Sequence, residues 1–291
     1  MLTIGFIGAG ITGNALAVTL AQQGYHVNAV SSRSLSSARK LADRVDNCQV
    51  YETSQQVADA AQLVFIATPD DVIAEVASKI EWHEKQHVVH CSGAHSIDII
   101  ESARKFGAST GCFHPLQTFA SIDQAVQNLP GSTFGIEAEG PLLVLLKQMA
   151  GDLEGNNIIL KAGDKVLYHA AAVFACNYLV TLTKLATDLW RDFGVTPNEA
   201  IKALMPLMEG TLKNIENVGL PDCLTGPIAR GDVGTIEKHI EALKHSNPDL
   251  LESYMQLGLQ TIPVAVAKGK IDSNQAERLK GILKQKQGVY S

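Results

Sequence analysis

Three polar side chains occur at helical spacing in an otherwise apolar part of the sequence: Lys165, His169 and Asn177. Positions four apart drift by only about 40° around an α-helix, so all three can lie along one broad face. A ketone that accepts a hydride needs a proton donor at its oxygen and a polar group that orients it. The pattern predicts His169 as the acid and Asn177 as the orienting group. Lys165 is a rival acid or an anion-binding residue, and the alternative is that His169 and Asn177 are buried polar residues of a helix bundle.

A glycine-rich turn near the start of the chain lies between an apolar run and an Ala/Leu-rich segment. Gly8 allows a tight turn, Gly10 lets the backbone approach a pyrophosphate, and Gly13 lets helix and strand pack closely. The helix start that follows offers N–H groups and a positive dipole end to phosphates. In this strand–turn–helix context the pattern predicts a dinucleotide-phosphate site rather than an ordinary turn, formed by Gly8, Ala9, Gly10, Ile11, Thr12 and Gly13.

The residues after the second apolar run indicate which dinucleotide binds. An NAD site usually carries Asp or Glu there, which accepts hydrogen bonds from the ribose 2′-hydroxyl. This chain instead has an arginine among serines, and an arginine can bind a phosphate with two hydrogen bonds. We therefore predict NADP(H), against the alternative that the arginine is a solvated loop residue; the predicted 2′-phosphate site is Ser31, Ser32, Arg33 and Ser34.

Two further predicted strand ends carry small or polar residues. Ligands of an open α/β sheet bind outside the carboxyl ends of its strands. We expect Thr68 and Pro69 beside the adenosine or pyrophosphate, although the pair is equally typical of a plain turn. Ser92 and Gly93 are expected near the nicotinamide, where a small residue leaves room for the ring.

A second histidine, His114, is predicted to leave a strand at the same edge of the sheet, with Pro115 fixing the direction of the exit. It could bind substrate or the nicotinamide amide, or transfer a proton. The alternative is that it stabilises the neighbouring loop through a buried hydrogen bond. Gln117 adds a donor within four residues and is predicted to contact substrate.

A loop with two glycines and a proline, Leu224 to Asp232, separates predicted long helices. Arg230 in this loop could bind an acidic substrate. It could also pair with Asp232 in a structural role, which we favour slightly.

The elements that would position these groups fall into two sets. Up to about residue 160, short apolar runs alternate with amphipathic segments, as in a Rossmann-type, doubly wound, mostly parallel sheet. From Asp164 onward the pattern is helical throughout, beginning with one helix of about thirty residues to Phe193. We therefore predict an α/β NADP-binding domain over 1–160 and an all-α substrate and dimerisation domain over 161–291. The predicted strands are 2–7, 25–30, 49–51, 63–67, 87–90, 109–113, 134–137 and 157–160, and the later helices are 197–218, 234–245, 248–268 and 273–287.

The apolar stretch from Ala170 to Leu182 needs more cover than a small helical domain supplies. The sequence therefore predicts a homodimer that forms through the helical domain.

Composition excludes several classes of protein. The 291 residues are 46% hydrophobic and 19% charged, which indicates a globular chain, and the net charge of −6 argues against a nucleic-acid partner. Five cysteines without CxxC or zinc-ligand spacing indicate reduced thiols in the cytoplasm and no metal site. The first apolar run ends in glycines without a basic segment before it, so no signal peptide is expected. We found no apolar run of the roughly 18–20 residues that cross a bilayer, so we expect a soluble protein.

Several motifs together resemble a known family over nearly the whole chain. They are the glycine turn, Ser32 to Ser34, Val89 to Ala94, Gly111 to Phe119, Tyr168 to Tyr178 and Leu224 to Asp232. The family comprises predicted oxidoreductases that join a Rossmann-like domain to a C-terminal helical domain of unknown function. The resemblance implies kinship with 6-phosphogluconate dehydrogenase, pyrroline-5-carboxylate reductase and ketopantoate reductase, and a helical domain like the C-terminal domain of the first.

In ketopantoate reductases a catalytic Lys and an Asn lie eight residues apart on the first helix of the second domain. His169 and Asn177 have that spacing here, so a His stands in place of the Lys. Some members of the family are thought to act as alternative ketopantoate reductases in pantothenate biosynthesis. The resemblance therefore implies an NADPH-dependent reductase of a small acidic 2-oxo substrate, with ketopantoate (2-dehydropantoate) first. The alternatives are an imine reductase like pyrroline-5-carboxylate reductase and a non-catalytic NADP(H) sensor or partner-binding dimer.

Overall fold

The structure, a computed structural model, describes residues 2–284. The chain forms two compact units, the first ending at Asn177 and the second beginning at Tyr178. The sequence analysis placed the boundary after residue 160. The first unit therefore includes the helical segment that carries Lys165 and His169.

An eight-stranded sheet forms the centre of the first unit. Its strands are β1 (Thr3–Ile7), β2 (His26–Ser31), β3 (Gln49–Val50), β4 (Leu63–Ile66), β5 (His87–His90), β6 (Ser109–Leu116), β7 (Thr133–Glu137) and β8 (Asn156–Ile159). Their order is β3-β2-β1-β4-β5-β6-β7-β8. The first six strands are mutually parallel, whereas β7 runs antiparallel to β6 and pairs in parallel with β8. The predicted doubly wound, mostly parallel sheet is thus confirmed.

Helices cover both faces of this sheet, as alternating strands and helices require. Those of the first unit are α1 (Ile11–Gln22), α2 (Leu35–Ala42), α3 (Ser54–Ala60), α4 (Ile73–Ser78), α5 (Glu101–Arg104), α6 (Ile122–Asn128), α7 (Gly140–Asp152) and α8 (Asp164–Ala175). The second unit is built from α9 (Asn177–Leu189), α10 (Pro197–Val218), α11 (Val233–Ser246), α12 (Pro248–Ala267) and α13 (Ser273–Lys284). The predicted end of the last helix at 287 lies outside the described residues.

Strands buried on both faces explain the continuous apolar runs of the sequence. On one face the rings of Phe6, Phe65, Phe113 and Phe134 form a row whose successive ring centroids are 5.0, 6.1 and 4.4 Å apart. The opposite face packs Ile66 and Val88 against α3 and α4. Because apolar side chains and helices cover both faces of the sheet, a ligand can contact only the strand ends and the loops that follow them.

The second unit has a core of its own, formed where α11, α12 and α13 meet. Ile236, Ile262 and Leu279 are each at most 1% exposed there. Asp272 caps α13 by accepting a hydrogen bond from the Gln275 amide at 2.8 Å.

The predicted thirty-residue helix is interrupted at Cys176, between α8 and α9. Gly163, with φ of +94°, rather than Asp164, precedes α8. Lys165 in the first turn of α8 is only 1% exposed, because its ammonium donates to the Ser92 carbonyl oxygen at 2.7 Å and to Cys112 Sγ at 2.9 Å. These contacts attach α8 to the sheet, which is why it belongs to the first unit.

By length and composition alone, the segment Asp164–Phe193 could cross a membrane, with a mean hydropathy of 1.4 over its most apolar 18 residues. The sequence analysis did not identify such a stretch. One helix of this kind is weak evidence for a membrane span, since core helices of soluble proteins pass the same test. Among residues 2–284, none of that apolar window is fully buried, although several of its side chains are half-buried.

Candidate active site

The glycine turn has the geometry that a dinucleotide phosphate requires. Gly8 has φ of +106°, and a Cβ there would lie 2.5 Å from the Ala67 carbonyl oxygen. A Cβ at Gly13 would lie 2.5 Å from the Gly8 carbonyl oxygen. At Gly10, by contrast, no atom comes within 4 Å of the Cβ position. The turn is therefore tightly packed at Gly8 and Gly13, and it is open at Gly10, where a phosphate would approach.

Asn14 supports this turn, a role that the sequence analysis missed. Its side-chain amide donates to the carbonyl oxygens of Ala9 and Gly10 at 2.9 and 3.0 Å, while α1 begins at Ile11 without a side-chain cap. The N–H groups of the first helical turn, those of Ile11, Thr12 and Gly13, therefore remain available to an anion.

Two buried hydroxyl groups beside the turn lack a hydrogen-bond partner within residues 2–284: those of Ser31 and Thr68. Buried polar atoms normally have a hydrogen-bond partner. Two hydroxyl groups without one, at the carboxyl ends of β2 and β4, therefore indicate a place for a polar ligand. Pro69 follows, exposed, at the start of a short helical turn. These observations and the open Gly10 position show that the residues present fit a dinucleotide.

The residues that follow β2 suit a phosphorylated ribose. Ser34 accepts a hydrogen bond from the Ser37 amide at 3.4 Å and so caps α2. Arg33 is exposed, and no ion pair among the described residues involves it. With half-buried Ser32 and no carboxylate at this position, Arg33 has the charge and the reach for a 2′-phosphate.

Two histidines predicted from distant parts of the sequence meet at Gly93. A Cβ on Gly93 would lie 2.7 Å from His114 Nε2 and 2.8 Å from His169 Cδ2. The absence of a side chain at Gly93 thus makes room for two imidazole rings. The sequence predicts this room for the nicotinamide ring, and in the structure the two imidazole rings border it.

Ser92 does not present its hydroxyl to a ligand. The hydroxyl donates to Asp70 Oδ2 at 2.7 Å and accepts from the amides of Ala94 and His95 at 3.2 and 3.1 Å. Ser92 therefore shapes the turn that carries Gly93. Likewise the Lys165 ammonium is held by Ser92 and Cys112 inside the fold, which disfavours it as the acid for a substrate.

His114 lies within β6 rather than beyond its end. The strand continues to Leu116 because it pairs with antiparallel β7, and His114 stands opposite Gly135. The hydroxyl of Tyr168 on α8 lies 2.9 Å from His114 Nδ1, with the two rings edge to face. Sequence reasoning missed Tyr168, although its position three residues after Lys165 and directly before His169 was an available signal.

The pKa values of this cluster are shifted by burial and by the Lys165 charge. Burial, and then the positive charges of Lys165 and His169, lower the pKa of His114 to about 3, so this imidazole is neutral at pH 7. Burial also raises the pKa of Cys112 to about 11 and, with the neighbouring Cys112 charge, that of Tyr168 to about 12. The site therefore pairs a neutral histidine with a neutral thiol and a neutral phenol.

The structure places three other predicted site residues on other elements of the chain. The Gln117 amide donates to Asn128 O and Ser132 Oγ at 3.3 and 3.4 Å, in the loop before β7. Asn177 lies beyond the interruption at Cys176 and is exposed at the start of α9. Arg230 is an exposed residue of the second unit, and Asp232 there caps α11 by accepting from the Thr235 amide.

The arrangement can hold a dinucleotide along the carboxyl ends of β1, β2 and β4 and place two imidazoles at the end of β5. A half-buried His169 can donate a proton, and a neutral His114 can donate a hydrogen bond. Among the described residues no cluster suited to a metal ion is found.

Family models match two parts of the chain. Residues 1–115 match the model of a Rossmann-like domain, and residues 132–261 match a domain of unknown function, DUF2520. A comparison with curated protein sequences found no match.

Solved structures share this fold along most of the chain. BF3122 of Bacteroides fragilis, provisionally assigned as an NADP oxidoreductase, is 26% identical with a TM-score of 0.73, covering 90% of this chain and 98% of that one. Pyrroline-5-carboxylate reductase of Coxiella burnetii is 19% identical, with a TM-score of 0.60 and coverage of 96% and 98%. A reductive aminase of Aspergillus terreus in complex with NADPH and ethyl-5-oxohexanoate is 15% identical, with a TM-score of 0.61 and coverage of 97% and 92%. The chain therefore combines an N-terminal segment that matches the Rossmann-like model with a later segment that matches the DUF2520 model.

Proposed function

We propose that this protein is an NADP(H)-dependent oxidoreductase that reduces the carbonyl group of a small 2-oxo acid, with ketopantoate as the first candidate. The observation that supports it is the meeting of His114 and His169 at Gly93, on the carboxyl edge of the sheet that holds the phosphate turn. A hydride acceptor at this edge would have a proton donor and a hydrogen-bond donor within reach.

The protein's own residues divide the work. The glycine turn would bind the pyrophosphate of NADP(H), and Arg33 would bind its 2′-phosphate. When NADPH is bound, its nicotinamide supplies the hydride. His169 protonates the carbonyl oxygen, and His114 donates a hydrogen bond at the same place.

The test of this proposal is consumption of NADPH by the purified protein with ketopantoate, beside an NADH control. Oxidation of NADPH that depends on ketopantoate supports both the reaction and the cofactor choice. If NADPH binds but no 2-oxo acid is reduced, the ketopantoate proposal is wrong.

Imine reduction is the second candidate, because the structures that share the fold include a pyrroline-5-carboxylate reductase and a reductive aminase. An iminium substrate arrives already protonated, so His169 would matter little. Turnover of a cyclic imine, with ketopantoate inert, would favour this candidate.

Arg33→Ser should reduce the affinity for NADPH about 10- to 100-fold, while the affinity for NADH hardly changes. The reason is that a charge-assisted pair with a phosphate contributes roughly 1.5–3 kcal/mol. Fluorescence titration with each cofactor measures both constants, and Arg39→Ser, on the exposed surface of α2, is the matched control. An equal loss for NADPH and NADH would show that Arg33 does not recognise the 2′-phosphate.

We also propose a cytoplasmic homodimer formed through the helical unit. On α9 and α10 large apolar side chains are exposed, among them Val180 at 68%, Leu207 at 67% and Leu212 at 52%. Soluble monomers rarely expose so much contiguous apolar surface, and a second copy of the same surface covers it symmetrically.

The double substitution Val180→Glu with Leu212→Glu should convert the dimer to a monomer, because it would bury unpaired charges in the contact. Light scattering after size-exclusion chromatography gives the mass. Leu257→Glu, an exposed apolar residue of α12, is the control. A wild-type monomer, or a double variant that stays dimeric, would contradict this proposal.

A further inference from the structure

The two ring nitrogens of His114 face different surroundings. Nδ1 lies 2.9 Å from the Tyr168 hydroxyl, whereas Nε2 points to Gly93, beside the His169 ring. Only Nε2 therefore faces the place where the proposed chemistry occurs, and which nitrogen carries the proton decides what His114 can do there.

The surroundings of Tyr168 indicate the direction of the Nδ1 hydrogen bond. Within residues 2–284, its hydroxyl is given one hydrogen-bond partner, His114 Nδ1. The same hydroxyl lies 2.7 Å from the Cβ position of Gly135, so it packs over that glycine. A phenol is a strong donor and an imidazole nitrogen a good acceptor, so the single bond is best made from Tyr168 O–H to Nδ1.

The charges around His114 favour its neutral form. From α8 the Lys165 ammonium and the His169 ring face it, together with the Tyr168 phenol. From the sheet come Cys112 on the same face of β6 and the buried His90 at the end of β5. The carboxylates of Glu137 and Asp70 act on Cys112, and each already accepts hydrogen bonds elsewhere: Glu137 from the Ser96 hydroxyl and the Ile97 amide, and Asp70 from the Ser92 hydroxyl. The charges that act on His114 itself are the positive ones of Lys165 and His169. Lys165 is fixed by two hydrogen bonds, so its charge cannot move away.

We infer that Tyr168 is a positioning residue that holds His114 as a neutral imidazole with its proton on Nε2, so that His114 donates a hydrogen bond to the substrate while His169 supplies the proton. This inference rests on the proposed function for its substrate, but the tautomer of His114 is a property of the protein alone. The two histidines then have different roles: His114 remains uncharged through the reaction, and only His169 loses a proton.

The direct test is ¹⁵N NMR of the imidazole rings in the cofactor-free full-length protein at neutral pH. We expect the wild-type His114 to show a bare Nδ1 and a protonated Nε2. In Tyr168→Phe, which keeps the ring and removes the hydroxyl, we expect a mixture of both tautomers. Tyr254→Phe is the matched control. In the second unit the Tyr254 hydroxyl lies 2.8 Å from Nδ1 of His239, so this variant removes an equivalent hydroxyl from a different histidine. A protonated Nδ1 in the wild type, or no change in Tyr168→Phe, would overturn the inference.

Kinetics with the substrate that the NADPH assay selects supplies the second measurement. We expect Tyr168→Phe to lower kcat about tenfold with an unchanged dissociation constant for NADPH, whereas Tyr254→Phe retains wild-type turnover. His114→Gln, which offers an N–H near the position of Nε2, should retain more activity than His114→Leu. Equal kcat values for Tyr168→Phe and Tyr254→Phe would overturn the inference. A protein that binds NADPH but reduces nothing refutes the proposed function instead, and leaves the NMR result to decide the tautomer.

Discussion

Replacing His169 by alanine should lower kcat for a 2-oxo acid about a thousandfold, within the range of roughly 10²–10⁴ that general acid catalysis contributes. His169 is half-buried, and its ring lies 2.8 Å from the Cβ position of Gly93, which places it at the carboxyl edge of the sheet. Without it, the oxygen that gains negative charge during hydride transfer has no proton source of comparable reach.

Steady-state kinetics and NADPH titration together measure this effect. The dissociation constant for NADPH should hardly change, since the phosphate turn and Arg33 lie elsewhere along the sheet edge. His245→Ala, which removes an exposed helical histidine paired with Glu241, is the control. Turnover within threefold of wild type would remove His169 from the mechanism, and for an imine substrate such a mild loss is the expected result.

Gly93→Ala should lower kcat about a hundredfold without removing any chemical group, because misplacing catalytic groups by about 1 Å can cost that much. The added methyl would lie 2.7 Å from His114 Nε2 and 2.8 Å from His169 Cδ2, so both rings must shift. Few single methyl groups in this chain could disturb both proposed donors at once.

The control for Gly93→Ala is Gly151→Ala in α7, where no atom lies within 4 Å of the Cβ position. That change should leave turnover intact and stabilise the protein by about 0.5–1 kcal/mol, the usual difference between Gly and Ala in a helix. Thermal unfolding and kcat are measured for both variants. A Gly93→Ala enzyme with wild-type turnover would show that the two rings do not act at this position.

Much of the fold was predictable because its elements begin and end at residues with strong local preferences. Helix α10 has the predicted bounds, 197–218, since Thr196 caps it, Pro197 suits its first turn and Gly219 ends it. The glycine turn was equally clear, because only glycine tolerates the backbone of Gly8 and the close approach at Gly13.

Contacts between distant segments account for what the sequence could not predict. Nothing at Cys176 marks the end of α8, because no glycine or proline stands there. The sequence predicts that β6 ends before Pro115, because proline usually ends a strand. In the structure β5 has already ended at this point, so β6 pairs with β7 alone and tolerates the proline.

The candidate site shows the same division. Helical spacing predicted that Lys165 and His169 share a face but not that Lys165 would be buried against Ser92 and Cys112. Likewise the small side chain of Gly93 was noticed, whereas the rings that occupy the space became visible only in three dimensions. Spacing along a helix predicts which side chains share a face, whereas tertiary packing decides which of them are buried.

The attachment of α8 to the first unit has an evolutionary consequence. The phosphate turn and His169 lie in one compact unit, so the residues proposed to bind the cofactor and the proposed acid both belong to the segment that ends at Asn177. Mutations in the later unit leave every one of these residues unchanged. A lineage with this architecture could therefore change its substrate by drift in one half of the gene while the reaction itself is inherited unchanged in the other.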